Sequence, residues 1–151
     1  MYRRILVAID GSRPGDLALT EAVQLAKTQD AVLRIAHVIE VRDDGIVPDL
    51  VPHDALRSAT ARAGRAILEE AAAFARSAGL EVEIRLLEIA RPDQSIVEVL
   101  TEEAKAWPAD LVVVGTHGRR DFDRPRLGSV ADELVRVAPE PVLLVRETSE
   151  D

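Results

Sequence analysis

Residues 5–9 read Ile-Leu-Val-Ala-Ile, and Asp10-Gly11-Ser12 follows them directly. These consecutive apolar residues predict a strand over residues 4–10 that is covered on both faces, as strands of parallel sheets are. Gly11 then interrupts the strand, and Ser12 and Pro14 are residue types that are favoured where a helix begins. This stretch therefore predicts a strand followed by a helix, which is the first unit of an α/β fold.

The same alternation continues along the rest of the sequence. Apolar runs predict four more strands, at residues 31–39, 81–89, 110–114 and 141–145. Apolar positions spaced by three or four predict the intervening helices, one that starts after Ser12, one from Leu56 to Ala78 that Gly79 ends, one capped by Asp93 and one opened by Ser129. Strands that alternate with helices pair in parallel through crossovers. We therefore expect one domain over residues 1–151, an α/β fold with an open, doubly wound, Rossmann-like parallel sheet of five strands and helices on both faces.

The composition argues against several classes of protein. The sequence carries 27 acidic and 19 basic residues, a net charge of −8, and only 3% aromatics, which disfavours a nucleic-acid-binding face. It has no cysteine, which excludes disulfides and thiol chemistry and suits a reducing cytosol. No apolar run approaches the roughly 18 residues of a membrane span. We therefore expect a soluble, cytoplasmic protein without nucleic-acid or membrane partners.

Glycines follow the fourth predicted strand with a regular spacing. Gly115 and Gly118 are separated by two residues, and Gly128-Ser129 begins a helix nine residues later. Glycines let a phosphate approach the backbone closely, and a helix N-terminus offers unpaired N–H groups and the positive end of its dipole. The pattern therefore predicts a phosphate cradle. In the simpler alternative, the glycines only turn the chain and Ser129 only caps the helix.

The pattern as a whole resembles the universal stress protein family, whose nucleotide-binding members carry Gly-x2-Gly-x9-Gly-Ser/Thr after the fourth strand. The spacing from Gly115 to Ser129 matches at all four positions, and the stretches at residues 5–12, 110–115 and 141–145 are similar as well. The resemblance implies a flavodoxin-like sheet of order 3-2-1-4-5 and an adenine nucleotide as ligand. ATP is the first candidate, with AMP and Mg²⁺ as further ones. It also implies a homodimer, which we expect to be built on the last strand, Val142–Val145, because an unpaired apolar edge invites pairing.

The resemblance further implies a set of nucleotide-binding residues. Asp10 would lie near the nucleoside, and Val38 would present its backbone to the adenine. The other matching positions would line the phosphates and the ribose; they are Gly115, His117, Gly118, Gly128, Ser129 and Val130. Simpler roles stay open, since Asp10 could cap its own turn, Val38 could belong to the core and His117 could be a solvated loop residue.

The insert between the last two glycines of the pattern departs from the family, whose inserts are often small and polar. Residues 119–126 contain Arg119, Arg120, Arg124 and Arg126 together with Asp121 and Asp123. Arginines favour phosphate, whereas the aspartates oppose it unless they pair with arginine or hold a divalent ion. A solvent loop that neutralises itself is the alternative.

Motifs of common nucleotide enzymes are missing from the sequence. It has no Gly-x4-Gly-Lys-Ser/Thr loop, no Gly-x-Gly-x-x-Gly and no nucleophile elbow, and its two lysines, Lys27 and Lys105, fall in predicted helices away from the cradle. We therefore expect no catalytic residues and at most slow ATP hydrolysis. The main expectation is an ATP-binding regulatory protein of the stress response. The alternative is a protein of the same fold that binds no nucleotide and acts through protein–protein contacts.

Overall fold

The computed structural model describes residues 1–41, 52–117 and 127–147, in which strands and helices alternate. The strands are β1 (Arg4–Ala8), β2 (Val32–Ile39), β3 (Val82–Glu88), β4 (Leu111–Gly115) and β5 (Val142–Val145). The helices are α1 (Arg13–Gln29), α2 (His53–Ser77), α3 (Ile96–Ala106) and α4 (Ser129–Val137). All the predicted strands are therefore confirmed, and their ends differ from the expected ones by no more than about two residues, the usual uncertainty of element boundaries.

The strands form one parallel sheet of order β3-β2-β1-β4-β5, as expected. β1 lies at its centre, where Ile5 is paired with Leu33 of β2 on one side and with Leu111 of β4 on the other. One face of the sheet packs against α1 and α2, and the other packs against α3 and α4. A strand in this position has no solvent-facing side, which is why its residues are continuously apolar.

The chain runs from β1 outward through β2 and β3, and then returns to the other side of β1 to form β4 and β5. The strand order therefore reverses between β1 and β4, and the loops that follow these two strands leave in opposite directions. The segment after β1 leads into α1, and the segment after β4 leads to α4. A crevice at the carboxyl ends of β1 and β4 is the expected result.

The start of α3 differs from the prediction. Ser95, not Asp93, caps this helix, and its Oγ accepts a hydrogen bond from the backbone N–H of Glu98 at 3.1 Å. Asp93 instead lies in a turn that is closed by the N–H of Gln94 and the carbonyl of Arg91 at 3.1 Å. Because this turn includes Asp93 and Gln94, α3 begins two residues later than the sequence pattern predicts.

Helix α2 is the longest helix and ends as the sequence predicts. Ala78 is its C-cap, and Gly79 follows with a φ of 88°, a conformation that suits glycine. It begins at His53. The stretch at residues 40–53 has no periodicity and contains two prolines, which predicts a long loop, and most of it lies outside the described residues. Neither α2 nor any other helix in the described ranges has the apolar length that crossing a bilayer requires.

An ion pair joins β2 to α3 on the second face of the sheet. Arg34 donates hydrogen bonds to the buried carboxylate of Glu103 at 2.6 Å and to Glu83 at 2.7 Å. Its guanidinium also lies 4.5 Å from the centre of the Trp107 ring, at the end of α3. These contacts hold α3 against the sheet and therefore fix the position of the helix start that faces the crevice.

Candidate functional site

A cavity of about 100 Å³ lies where the carboxyl ends of β1, β2 and β4 meet the start of α4, and we call it the inner cavity. Six of the residues selected from the sequence line it; they are Asp10, Val38, Gly115, His117, Gly128 and Val130. Ser129 lines a neighbouring cavity instead, and Gly118 lies outside the described residues. The fold thus brings together site residues that are distant in the sequence.

The neighbouring cavity, which we call the outer cavity, has a volume of about 350 Å³ and shares Ile96 and Val130 with the inner one. Its polar lining residues come from the end of β2 onward, from the segment before α3 and from α4; they are Glu40, which follows β2, and Gln94, Ser95, Ser129 and Glu133. Pockets for small ligands usually measure roughly 300–1,000 Å³. The inner cavity alone is therefore small for a nucleotide, whereas the two cavities together offer the usual volume.

The turn between β1 and α1 holds Asp10 in a fixed position. Its Oδ1 accepts hydrogen bonds from the backbone N–H of Ser12 at 3.0 Å and from the Ser12 hydroxyl. The Ser12 Oγ in turn accepts from the N–H of Gly15 at 3.3 Å and caps α1. Asp10 therefore does cap its own turn, and it also lines the inner cavity, so the two roles left open by the sequence are compatible.

Gly15 is a site residue that the sequence analysis missed. A Cβ at this position would lie 3.0 Å from the Oδ1 of Asp10 and 3.5 Å from the Oγ of Ser12. A side chain here would require the Asp10 carboxylate to shift by a few tenths of an ångström. The other missed residues are apolar walls of the inner cavity; they are Ala8, Ile9, Ile96, Leu100, Val114 and Ala131. Such residues carry no motif, and only their place at the ends of strands and helices could have indicated them.

Gly115 lines the inner cavity at the end of β4, but its need for glycine has a separate cause. A Cβ there would lie 2.9 Å from the carbonyl oxygen of Pro14, a backbone atom at the start of α1. Close packing of β4 against α1 therefore requires glycine at this position, whatever the ligand. The next residues, Thr116 and His117, are joined by a contact of 3.0 Å between Oγ1 and Nδ1. This contact holds the half-buried His117 ring in the cavity wall.

Gly128 and Ser129 form the start of α4, as predicted. Gly128 is the N-cap, with a φ of −62° that any residue can adopt, and its N–H donates to the carbonyl of Thr116 at 2.7 Å. The cap makes no side-chain hydrogen bond, and Ser129 is the first helical residue. The simple reading of Ser129 as a capping residue is therefore wrong. The backbone conformation at residue 128 therefore does not require glycine. If glycine is required there, the reason is the room that a side chain would occupy.

The end of β2 completes the crevice. Val38 lines the inner cavity, as the sequence predicts, and is half-buried. The preceding residue, His37, was given no role from the sequence. Its Nδ1 lies 2.7 Å from the carbonyl oxygen of Ile9, so this nitrogen carries the proton and donates it to the carbonyl. This hydrogen bond fixes the backbone immediately before Asp10.

The electrostatics of the crevice come from carboxylates and backbone groups. No lysine or arginine among the described residues lines either cavity, whereas Asp10, Glu40 and Glu133 do. On the other side of Gly11, burial raises the pKa of Asp16 above its usual value, and the carboxylates of Glu70 and Asp10 raise it further. Within the described ranges, no group of three or more His, Asp or Glu side chains is placed to hold a metal ion. Among the described groups, an anion here would meet the N-terminus of α4.

Comparison with known proteins identifies the family. The sequence model of the universal stress protein family matches residues 1–146. The chain belongs to the universal stress protein family. This universal stress protein is 35% identical over 147 residues to a universal stress protein of Staphylococcus aureus, and the match covers 96% of this chain and 84% of the relative.

Two solved structures of relatives contain adenine nucleotides. A universal stress protein in complex with cAMP is 31% identical to this one, with a TM-score of 0.71 over 98% of this chain and 99% of the other. The universal stress protein of Archaeoglobus fulgidus in complex with dAMP is 22% identical, with a TM-score of 0.67 over 95% and 97% of the two chains. This universal stress protein thus shares its fold with proteins that bind adenine nucleotides.

Proposed function

We propose that this universal stress protein binds an adenine nucleotide across the inner and outer cavities and acts in a stress response through binding. The observation that carries the proposal is that six residues selected from the sequence line one cavity at the point where the strand order reverses. Such crevices are the usual ligand sites of open α/β sheets. The relative in complex with cAMP supports an adenine nucleotide as the ligand class. ATP is the first ligand to test and AMP is the second.

The geometry favours one orientation of the nucleotide. The inner cavity has largely apolar walls for the base, with the backbone of Val38 at one side and the carboxylate of Asp10 near the ribose. The phosphates would then lie at residues 128–130, where α4 offers unpaired N–H groups. A charge-assisted hydrogen bond contributes about 1.5–3 kcal/mol and the helix dipole about 0.3–2 kcal/mol. Several such contacts reach the roughly 8 kcal/mol of a micromolar complex.

Calorimetry on the ligand-free protein with ATP, AMP and cAMP tests the proposal. Gly128→Val places a branched side chain in the cradle and should abolish binding, while circular dichroism shows that the fold is kept. Ser129→Ala removes one hydroxyl and should cost about tenfold in affinity, the effect of one good hydrogen bond.

Asp10→Ala should lower the affinities for ATP and AMP by the same factor, because Asp10 would act at the nucleoside. The affinity for pyrophosphate should stay unchanged. If the wild type binds none of the nucleotides at millimolar concentration with magnesium present, the proposal is wrong.

We also propose that any ATP hydrolysis is slower than about 1 s⁻¹, the low end of ordinary enzymes. Lys27 and Lys105 lie in the last turns of α1 and α3, at the ends of these helices away from the cavities. Magnesium would arrive with the ATP phosphates, and we assign it no protein ligand. Steady turnover above this rate that is lost in Arg119→Ala or Arg124→Ala would show that the insert is a catalytic loop. Both arginines lie outside the described residues.

The second candidate function is a universal stress protein that works through protein–protein contacts alone. The carboxylate of Glu133 in the outer cavity favours it, because this charge opposes a phosphate. Failure of all nucleotides in the calorimetry above would make it the leading hypothesis. The expected cytoplasmic location and the single domain over residues 1–151 remain proposals, which cell fractionation and limited proteolysis test.

A further inference from the structure

The outer cavity combines a helix N-terminus with acidic side chains. Ser129 begins α4 and lines this cavity together with Val130. Glu40 and Glu133 line the same cavity, and none of its described lining residues is a lysine or an arginine. A phosphate at the start of α4 would therefore be attracted by backbone N–H groups and repelled by nearby carboxylates.

Glu133 lies close to the expected phosphate position for a geometric reason. It follows Ser129 by four residues on α4, so the two side chains share one face of the helix, with Cβ atoms about 5–6 Å apart. Its Oε2 also accepts a hydrogen bond from the Oγ of Ser95 at 3.5 Å, at the residue that caps α3. This contact directs the carboxylate into the cleft between the starts of α3 and α4, where the outer cavity lies.

We propose that Glu133 lowers the affinity for each nucleotide by an amount that grows with the negative charge of its phosphates. The inference rests on the nucleotide site proposed above. Two unit charges about 8 Å apart in water interact by about 0.5 kcal/mol, so each negative charge on the ligand costs roughly twofold in affinity at low salt. The Glu133 carboxylate therefore disfavours free ATP more than it disfavours a cyclic monophosphate or magnesium-bound ATP.

Calorimetry at low ionic strength on the wild type and on Glu133→Gln tests this selection. Glutamine keeps the size of the side chain and can still accept a hydrogen bond from Ser95, so the fold is not at risk. We expect Glu133→Gln to leave the affinity for adenosine unchanged and to raise it about twofold for cAMP, about fourfold for AMP and about tenfold or more for ATP without magnesium. These gains should shrink strongly at ~0.5 M salt, because salt screens exposed charges.

Glu69→Gln is the matched control. It removes the same charge from an exposed position on α2, which packs on the opposite face of the sheet, and should leave the affinities for AMP and ATP within about twofold of the wild-type values. Equal gains for adenosine and ATP in Glu133→Gln would assign Glu133 a steric role and overturn the inference. Unchanged affinities in this variant would overturn it as well, although the nucleotide site would stand. If the wild type binds none of the ligands, the proposed function fails first and the inference falls with it.

Discussion

Asp10 and Gly15 pack closely together where α1 begins. The Oδ1 of Asp10 is already engaged by the N–H and hydroxyl of Ser12, and a Cβ on residue 15 would approach it to 3.0 Å. Such a contact is shorter than the usual approach of non-bonded atoms, so one of the two groups must move. Because Gly15 has no side chain, the carboxylate of Asp10 can occupy the position in which it lines the inner cavity.

Gly15→Ala should separate binding from stability. Alanine favours a helix over glycine by up to about 1 kcal/mol, which offsets the tight contact, so the free energy of unfolding should stay within about 1 kcal/mol of the wild type. The displaced Asp10 carboxylate should lower the affinity for AMP by about fivefold or more, corresponding to about 1 kcal/mol. Urea unfolding and calorimetry measure the two effects, and an unchanged affinity would contradict this account of Gly15.

Gly79→Ala is the matched control for that variant. Gly79 has a φ of 88°, and a Cβ there would meet nothing within 4 Å. Alanine in the left-handed region costs about 1–2 kcal/mol, so this variant should be less stable than the wild type. It should bind AMP normally, because Gly79 follows the end of α2 and lines neither the inner nor the outer cavity.

Asp110 connects the beginnings of two neighbouring strands. Its Oδ2 accepts hydrogen bonds from the backbone N–H groups of Arg3 at 2.7 Å and Arg4 at 2.9 Å. These two hydrogen bonds hold the pKa of Asp110 below its usual value. A carboxylate whose pKa is lowered by folding stabilises the protein above its ordinary pKa, and this stabilisation is lost as the pH falls through the lowered value.

We expect Asp110→Asn to unfold at a lower urea concentration than the wild type at pH 7. The difference should shrink as the pH falls below the ordinary value of about 3.9 for an aspartate, because the wild-type carboxyl then becomes protonated too. Urea titrations at pH 7, 5 and 3 measure it. A difference that does not change with pH would show that the charge of Asp110 contributes nothing.

Asp16 is the control for Asp110, because folding shifts its pKa in the opposite direction. Its pKa is raised, first by burial and then by Glu70 and Asp10, so its ionisation destabilises the folded state as the pH rises above the ordinary pKa. Asp16→Asn should therefore stabilise the protein at pH 7 and have little effect at pH 3. The same urea titrations measure this effect, and a loss of stability at pH 7 would contradict it.

The helices and strands were predictable because local patterns determine them. Continuous apolar residues identified β1 and β4, which have no solvent-facing side, and glycine and serine indicated the starts of α1 and α4. The contacts that complete the site connect residues distant in the sequence. Two examples are the hydrogen bond from His37 to Ile9 and the ion pair of Arg34 with Glu103. Both depend on how helices and strands pack against each other, and no short sequence pattern indicates such packing. For the same reason, Gly15 was missed although Gly115 and Gly128 were found.

At the scale of the whole molecule, β5 forms one edge of the sheet. The N–H of Val112 donates to the carbonyl of Pro141, and the N–H of Thr116 donates to that of Val145. In a parallel strand, alternate residues bond to the same neighbour, so the backbone groups of Val142 and Leu144 face the open edge. Short apolar edges of this kind can pair with a second copy around a two-fold axis.

We predict a homodimer in which β5 pairs with its copy in the partner chain. Light scattering at micromolar concentration should give about twice the mass of 16.5 kDa. Leu144→Pro removes an N–H that the pairing with β4 does not use, and should yield a folded monomer by circular dichroism. Leu144→Asp should also weaken the dimer, because the new charges would face each other across the axis. A monomeric wild type, or two variants as dimeric as the wild type, would exclude this interface.

The seam between β1 and β4, where the inner cavity lies, also has a consequence for folding kinetics. Arg4 and Asp110, which meet at the start of this seam, are 106 residues apart in the sequence. Joining such distant segments costs more chain entropy than forming the nearby α2–β3 unit, so the seam should close late, after the main folding barrier. A bound nucleotide would then act almost entirely on the unfolding rate. At 100 times its dissociation constant it should slow unfolding about 100-fold and leave the refolding rate unchanged, as measured by stopped-flow in urea.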